Sequence, residues 1–319
     1  MFWRSSLLAL LFLVGACRGR EEAAAPASIK VVEKADYAHP GSLIEPEELL
    51  VIWEHEHIQI IDFREQEGFE EDHIPKALPM WRNDIEDRQH PVPGMMALKP
   101  EIEKKLSDLG LSASDTLILY DDQAGVNAAR LWWVLRTYGF TQVRLLNGGL
   151  QSWREAQGPL SSDRIPRPAE QFVFPSEEAP HFRIEKDSLA SLMKSEHWTL
   201  IDARTAEEHS GKRIKKGAEN AGHIPGSLNI DWAEAVDYHG TKKFLPPEKL
   251  KLAYKELPED KDAPVVVYCH SGVRSAHTSF VLTQLLGYNR VYNYDGSWLE
   301  WSALEGAPID KDSTTIILQ

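Results

Sequence analysis

The most chemically loaded stretch of the chain is Cys269-His270-Ser271-Gly272-Val273-Arg274-Ser275, built around one thiol. It follows directly on Val265-Val266-Val267-Tyr268, a run apolar enough for a buried central strand. The residues after the thiol suit a tight turn into a helix, with Gly272 free to turn and Ser275 as the helix N-cap. A strand, a short loop and a helix start make a cradle of inward-pointing N–H groups, with the positive end of the helix dipole behind it. A cysteine held there is expected to have a lowered pKa and to exist as a nucleophilic thiolate near neutrality. The same N–H groups would hold a terminal sulfur or the oxygens of an incoming oxyanion, and Arg274 would add a fixed cation. A free cysteine at a strand end is ordinarily an inert core residue. The loop and helix start that follow Cys269 point away from that reading.

The elements that must position this loop occur twice. Ile44-Glu45, Leu49 and Ile60-Ile61-Asp62-Phe63-Arg64 recur as Ile184-Glu185, Leu189 and Leu200-Ile201-Asp202-Ala203-Arg204, displaced by 140 positions. Asp72-His73-Ile74-Pro75 recurs as Gly222-His223-Ile224-Pro225, displaced by 150, so the second copy carries an insertion near 212–220. That insertion holds the basic run Lys212-Arg213-Ile214-Lys215-Lys216, expected to be an exposed insertion, with attraction of anions toward the site as the lesser reading. Gly139-Phe140, Val143, Asn147-Gly148 and Trp153 recur at a displacement of 148 as Gly287-Tyr288, Val291, Asp295-Gly296 and Trp301. Three ordered blocks of this kind indicate a duplicated domain. The boundaries are read as 40–160 and 180–312, joined by a proline-rich extended linker at 161–179.

Within each copy, short apolar runs (58–63, 116–120, 143–146; 199–203, 265–268, 290–294) alternate with amphipathic stretches (100–109, 128–138; 247–256, 275–286). Such alternation predicts an α/β fold, each domain a parallel sheet flanked by helices on both faces. Ligands in such sheets bind at the carboxyl ends of strands, where Cys269 stands.

With the loop Cys-x-x-Gly-x-Arg-Ser, the Asp202-Ala-Arg204 element, the Ala221-Gly-His-Ile-Pro-Gly-Ser227 element and the closing Asp295-Gly-Ser-Trp298, the chain resembles the tandem rhodaneses, the thiosulfate and mercaptopyruvate sulfurtransferases. The likeness covers about 40–310 with every block in order. It implies a double displacement. Cys269 takes a sulfane sulfur from a small donor such as thiosulfate, releases sulfite, and passes the sulfur from a persulfide to cyanide or a thiol. It implies no metal and no organic cofactor, because the cysteine is itself the carrier. The substrate-binding residues implied are His270, Ser271, Gly272, Val273, Arg274, Ser275 and Arg204. In the first copy, Asp121 stands at the position of Cys269. A carboxylate cannot accept a sulfane sulfur, so that copy is expected to be silent and to wall the active cleft.

Three alternatives stand beside this reading. Ser271-Gly272-Val273 echoes the mercaptopyruvate type of loop, whereas Arg274 resembles that of single-domain thiosulfate enzymes; thiosulfate is the expected donor. A non-enzymatic sulfur-binding or scaffold protein is the second. The third is a phosphatase, since dual-specificity phosphatases share the fold, but their loop is Cys-x5-Arg and this one is Cys-x4-Arg. Several residues are read as structural. His73 and His223 occur in both copies. Asp202 and Arg204 mirror Asp62 and Arg64 as a buried pair, with Arg204 also facing the cleft. Glu207-Glu208-His209 reads as a solvated loop and not a metal site, and His270 as a solvent-facing residue or an added charge when protonated.

At 319 residues the chain has room for two domains. Its formal charge of −14 excludes nucleic acid as a natural partner and obliges any anion site to supply its own local positive charge. At the N-terminus, Leu7-Leu8-Ala9-Leu10-Leu11-Phe12-Leu13-Val14 is an apolar run too short to span a bilayer. With Val14-Gly15-Ala16-Cys17 it resembles a bacterial lipoprotein signal. The expectation is a signal peptide at 1–16, lipidation at Cys17 and a polar tether at 17–39. That resemblance implies an exported protein, membrane-anchored by lipid and facing the periplasm, with Arg18 after the cysteine favouring the outer membrane. Removal of the signal would leave Cys269 without a disulfide partner in the folded body. No protein partner is indicated.

Overall fold

The computed structural model describes residues 35–175, 182–195 and 198–312. The expectations for 1–16 and Cys17 lie outside the described residues.

The duplicated blocks become two sheets of identical topology. In the first, β1 (Leu43–Ile44), β2 (Ile58–Asp62), β3 (Leu78–Pro79), β4 (Thr116–Tyr120) and β5 (Val143–Leu146) lie in the order β1-β5-β4-β2-β3. In the second, β6 (Arg183–Ile184), β7 (Thr199–Asp202), β8 (Leu228–Asn229), β9 (Val265–Tyr268) and β10 (Val291–Tyr294) lie in the order β6-β10-β9-β7-β8. Every pairing is parallel. The first copy carries helices α1 (Pro46–Ile52), α2 (Gln66–Glu71), α3 (Lys99–Asp108), α4 (Val126–Thr137) and α5 (Gly149–Glu155). The second carries α6 (Lys186–Leu192), α7 (Ala206–His209), α8 (Pro247–Ala253), α9 (Val273–Phe280) and α10 (Ser297–Trp301).

Strand period decides which face of each sheet does what. On β4, Ile118 and Tyr120 enter a core private to the first domain, whereas Leu117 and Leu119 enter a core shared by both domains. On β9, Val266 and Tyr268 face the private core of the second domain, whereas Val265, Val267 and Cys269 join the shared core. Cys269 therefore looks toward the other domain. Helices α4 and α9 meet in that shared layer, where Trp132 packs edge-on against Phe280 with ring centroids 4.9 Å apart. Burying side chains of this size stabilises the layer by about 1.5–3 kcal/mol each.

The C-terminal part of the expected tether, from residue 35, is packed and not free. Tyr37 is buried and its hydroxyl donates to the Leu245 carbonyl at 3.0 Å, while the Ala38 N–H donates to Leu285 O. An apolar ring buried in the core outweighs the polar character of the preceding sequence. The segment 162–174 has no helix or strand, and Phe172 and Phe174 in it are buried against Phe140 and Tyr138. His73 and His223 are turn supports: Nδ1 of each lies 2.8 Å from a backbone carbonyl, of Phe69 and His209 respectively.

Candidate active site

Cys269 follows β9 directly and is 1 % exposed, at the floor of a cavity of about 240 Å³ that Arg82, Lys215, Trp232, Tyr238 and Arg274 also line. The helix starts earlier than the sequence suggested. Its N-cap is Gly272, and α9 begins at Val273. Ser275 is thus not the cap. As the third residue of the helix it turns its hydroxyl onto Cys269 Sγ at 3.4 Å. Gly272 has φ +80°, and a Cβ there would lie 2.6 Å from Asp295 Oδ1 and 2.9 Å from Arg130 Nη1, so only glycine fits.

The loop's N–H groups divide into two sets. Those of Cys269 and Gly272 both donate to Ser297 Oγ at 3.1 Å, and the Ser297 hydroxyl donates onward to Tyr294 O at 2.7 Å. Those of Ser271 and Ser275 serve the thiol. Burial alone would raise the thiol pKa. The Arg274 charge, the Ser275 hydroxyl and the two N–H groups outweigh it, and the net displacement is downward. Ser297, a non-glycine residue at φ +50°, was missed by sequence reasoning. The available signal was that its counterpart in the first copy is Gly149.

The charges differ from expectation at four positions. Arg274 is not a free cation, because Nη1 and Nη2 pair with Glu208 Oε2 and Oε1 at 2.6 and 2.9 Å. Glu208 is accordingly no solvated loop residue. It is buried on α7; burial pushes its carboxyl up, but the Arg274 ion pair, with help from Arg204, holds it at about 2. Arg204 is turned away from the cleft. Its Nε and Nη2 bond Asp202 at 2.8 and 2.6 Å, and its guanidinium stacks on Trp298 at 4.5 Å. His270 is neither solvent-facing nor charged: it is 7 % exposed, and burial, with Lys215 and Arg274 nearby, lowers it to about 4. Its Nε2 lies 3.2 Å from Lys216 O. The basic insertion contributes Lys215 to the cavity rim.

The first domain repeats this construction with a different filling. Asp121 occupies the place of Cys269, each main-chain carbonyl accepting the same later N–H, Leu150 to Asp121 and Trp298 to Cys269. The Asp121 carboxylate accepts four backbone N–H groups, from Gln123, Gly125, Asn127 and Ala128, at 2.7–2.9 Å. The loop after β9 is one residue shorter than the loop after β4, since Gly125 and Gly272 are the two N-caps. Helix α9 recovers the difference by running into a π-helical turn, Val281–Leu285, so that Gly139 and Gly287 close both helices alike.

The domains are also tied at the loop itself. Arg130 of α4 pairs with Asp295 at 2.6 Å, both 1 % exposed, and Asp295 Oδ2 accepts the Met96 N–H at 2.9 Å. The mirror contact is the Phe244 N–H on Asn147 Oδ1 at 3.0 Å. Asn127 carries the Arg82 guanidinium on its Oδ1, at 2.6 Å from Nη2 and 3.2 Å from Nε.

Comparison with known proteins agrees with this architecture. The Rhodanese-like domain model matches residues 45–156 and again 185–304. The "Sulfur carrier protein TtuD" of Thermus thermophilus is 36% identical over 290 residues, covering 86% of this chain and 98% of its own. The "Putative thiosulfate sulfurtransferase 1" of Mycobacterium bovis is 36% identical over 253 residues, 77% of this chain and 88% of its own. Among solved structures, the anaerobic ergothioneine biosynthesis enzyme from Chlorobium limicola superposes with a TM-score of 0.73 at 24% identity, over 86% of this chain and 71% of that one. At that identity the likeness is one of fold.

Proposed function

The chain belongs to the rhodanese family as a tandem of two Rhodanese-like domains, and from that premise we propose that it is a thiosulfate sulfurtransferase working through a persulfide on Cys269. Sulfur transfer is the activity its relatives' names share. The observation that carries the finer reading is a thiol with a lowered pKa, at the floor of a cavity and faced by the N–H groups of Ser271 and Ser275.

The Cys269 thiolate attacks the outer sulfur of thiosulfate. The sulfur–sulfur bond of the donor breaks, its electron pair leaves with sulfite, and Cys269 keeps one added sulfur as a persulfide anion. Cyanide or a thiolate then attacks that terminal sulfur, and the Cys269 thiolate is released. Each step moves negative charge toward main-chain N–H groups that are fixed before the reaction starts, so little reorganisation is required. The cysteine carries the sulfur itself, and the reaction calls for no metal or organic cofactor. Arg82 and Lys215 supply positive charge at the cavity, which favours dianionic thiosulfate over the monoanion mercaptopyruvate.

The test is intact mass spectrometry after incubation with thiosulfate. A gain of one sulfur atom, removed by cyanide and absent in Cys269→Ser, is expected; no gain in the wild type would overturn the assignment. The match to a sulfur carrier over 98% of its length supports a second reading, in which the loaded cysteine delivers to a protein thiol. Loading without cyanide turnover would favour it. We also propose export and lipid anchoring through Cys17, checked by acyl labelling that disappears in Cys17→Ala.

A further inference from the structure

We propose that Arg82, a residue of the silent first domain, binds the anionic sulfur donor over Cys269, and that Asn127 is its positioning residue. This deepens the sulfur-transfer reading above and rests on it.

Arg82 opens the short 3-10 turn Arg82–Asp84 and lines the same cavity as Cys269, from the opposite domain. Its guanidinium is fixed on two sides, by Asn127 Oδ1 and by the Trp81 ring at 5.4 Å. What distinguishes it is the partner. The other guanidinium groups near the loop are all neutralised: Arg274 by Glu208, Arg204 by Asp202 and Arg130 by Asp295. Among the described residues no carboxylate lies within ion-pair distance of Arg82. A carboxamide oxygen orients a guanidinium without cancelling its charge, which leaves a full positive charge for an incoming anion.

Asn127 is held in turn by the residue that replaced the nucleophile. The N–H groups of Asn127 and Ala128 donate to Asp121 Oδ2 at 2.7 and 2.9 Å, which fixes the first turn of α4. Counting from the two N-cap glycines, Asn127 stands in α4 where Arg274 stands in α9. In the second domain this position offers a cation to a carboxylate. In the first it offers a neutral acceptor to a cation. Asp121, standing where the other copy has Cys269, thus anchors the helix turn that aims Arg82 at that thiol.

The test compares two donors that deliver the same outer sulfur, dianionic thiosulfate and monoanionic methanethiosulfonate, whose leaving groups are sulfite and methanesulfinate. Coulomb energy scales with donor charge, so loss of a cation costs the dianion more. Arg82→Gln is expected to lower kcat/KM by about 30-fold for thiosulfate and about 5-fold for methanethiosulfonate, mainly through KM, with Arg82→Lys recovering most of the loss. Asn127→Asp leaves Arg82 in place but gives it a carboxylate. It should reproduce the same discrimination between donors, an outcome that a merely structural role for Asn127 does not produce. Alkylation of Cys269 by neutral iodoacetamide at pH 8.5 should stay within about threefold in both variants, showing that the fold and the thiolate persist. Equal losses for the two donors, or none, would overturn the assignment while leaving Cys269 chemistry standing. A wild-type protein that gains no sulfur from either donor would bring down both.

Discussion

The loop after β4 and the loop after β9 are one construction closed in two ways. The first is saturated from within, four main-chain N–H groups converging on the Asp121 carboxylate. The second hands two of its N–H groups to Ser297 and keeps those of Ser271 and Ser275 for a sulfur atom. A buried N–H group without an acceptor is costly, so a cradle of this type must always be filled. In the first loop the Asp121 carboxylate fills it; in the second the Cys269 sulfur does. The loop after β4 is therefore a cradle closed by a side chain of its own.

Changes that empty or exchange the fillings test this contrast. Asp121→Ala strands four N–H donors, three of them buried, and should produce the largest effect, a destabilisation of about 3–5 kcal/mol, seen as a drop in Tm of roughly 10 °C. A loss below about 1 kcal/mol would mean that the first cradle does not depend on its carboxylate. Ser297→Gly copies Gly149 into the working loop and removes the acceptor of two N–H groups. About 2 kcal/mol of stability and about tenfold in the rate of persulfide formation should go with it, measured by rapid-quench mass spectrometry.

Glu208→Gln releases Arg274 and alters the acid limb of stability. The Glu208 carboxyl is depressed to about 2 in the folded chain, against an ordinary value near 4.5. Its contribution is therefore complete above pH 4.5 and is lost as pH falls toward 2. The urea midpoint of the variant should fall less steeply than that of the wild type across this interval. His270→Gln should have the smallest effect, less than about twofold on sulfur uptake. His270 titrates near 4 and is already neutral between pH 6 and 8, so the profile in that range should not change.

Much of the fold was legible because it is written twice. The paired blocks located β2, β4, β5, β7, β9 and β10 to within a residue or so, since buried parallel strands are short apolar runs with nothing else to be. Cys269 was legible from its position between such a strand and a helix start. The residues that tune it were not. Glu208 and Arg274 are far apart in sequence, and no local pattern says that one neutralises the other. Arg204 was read toward the cleft because its type suited an anion, whereas the neighbouring Asp202 determines where it points. Ser275 has the right chemistry for an N-cap, but the turn closes earlier at Gly272, which alone tolerates the crowding there. The better clue was asymmetry between the copies: Glu208 aligns with Gly68 and Ser297 with Gly149, and each difference falls beside the Cys269 loop.

The wide turn at Val281–Leu285 has a consequence for how such loops change length. Deleting one residue ahead of an α-helix would ordinarily rotate everything after it by about 100° and tear the helix from its partners. Here a single compensating insertion two turns downstream absorbs the shift, and Tyr288 still docks where its counterpart Phe140 does. Gene edits that excise one position from the turn and restore one before the cap should therefore give the loop after β9 the length of the loop after β4 without disturbing the seam between domains. Loop length becomes adjustable by small indels while the scaffold keeps its register.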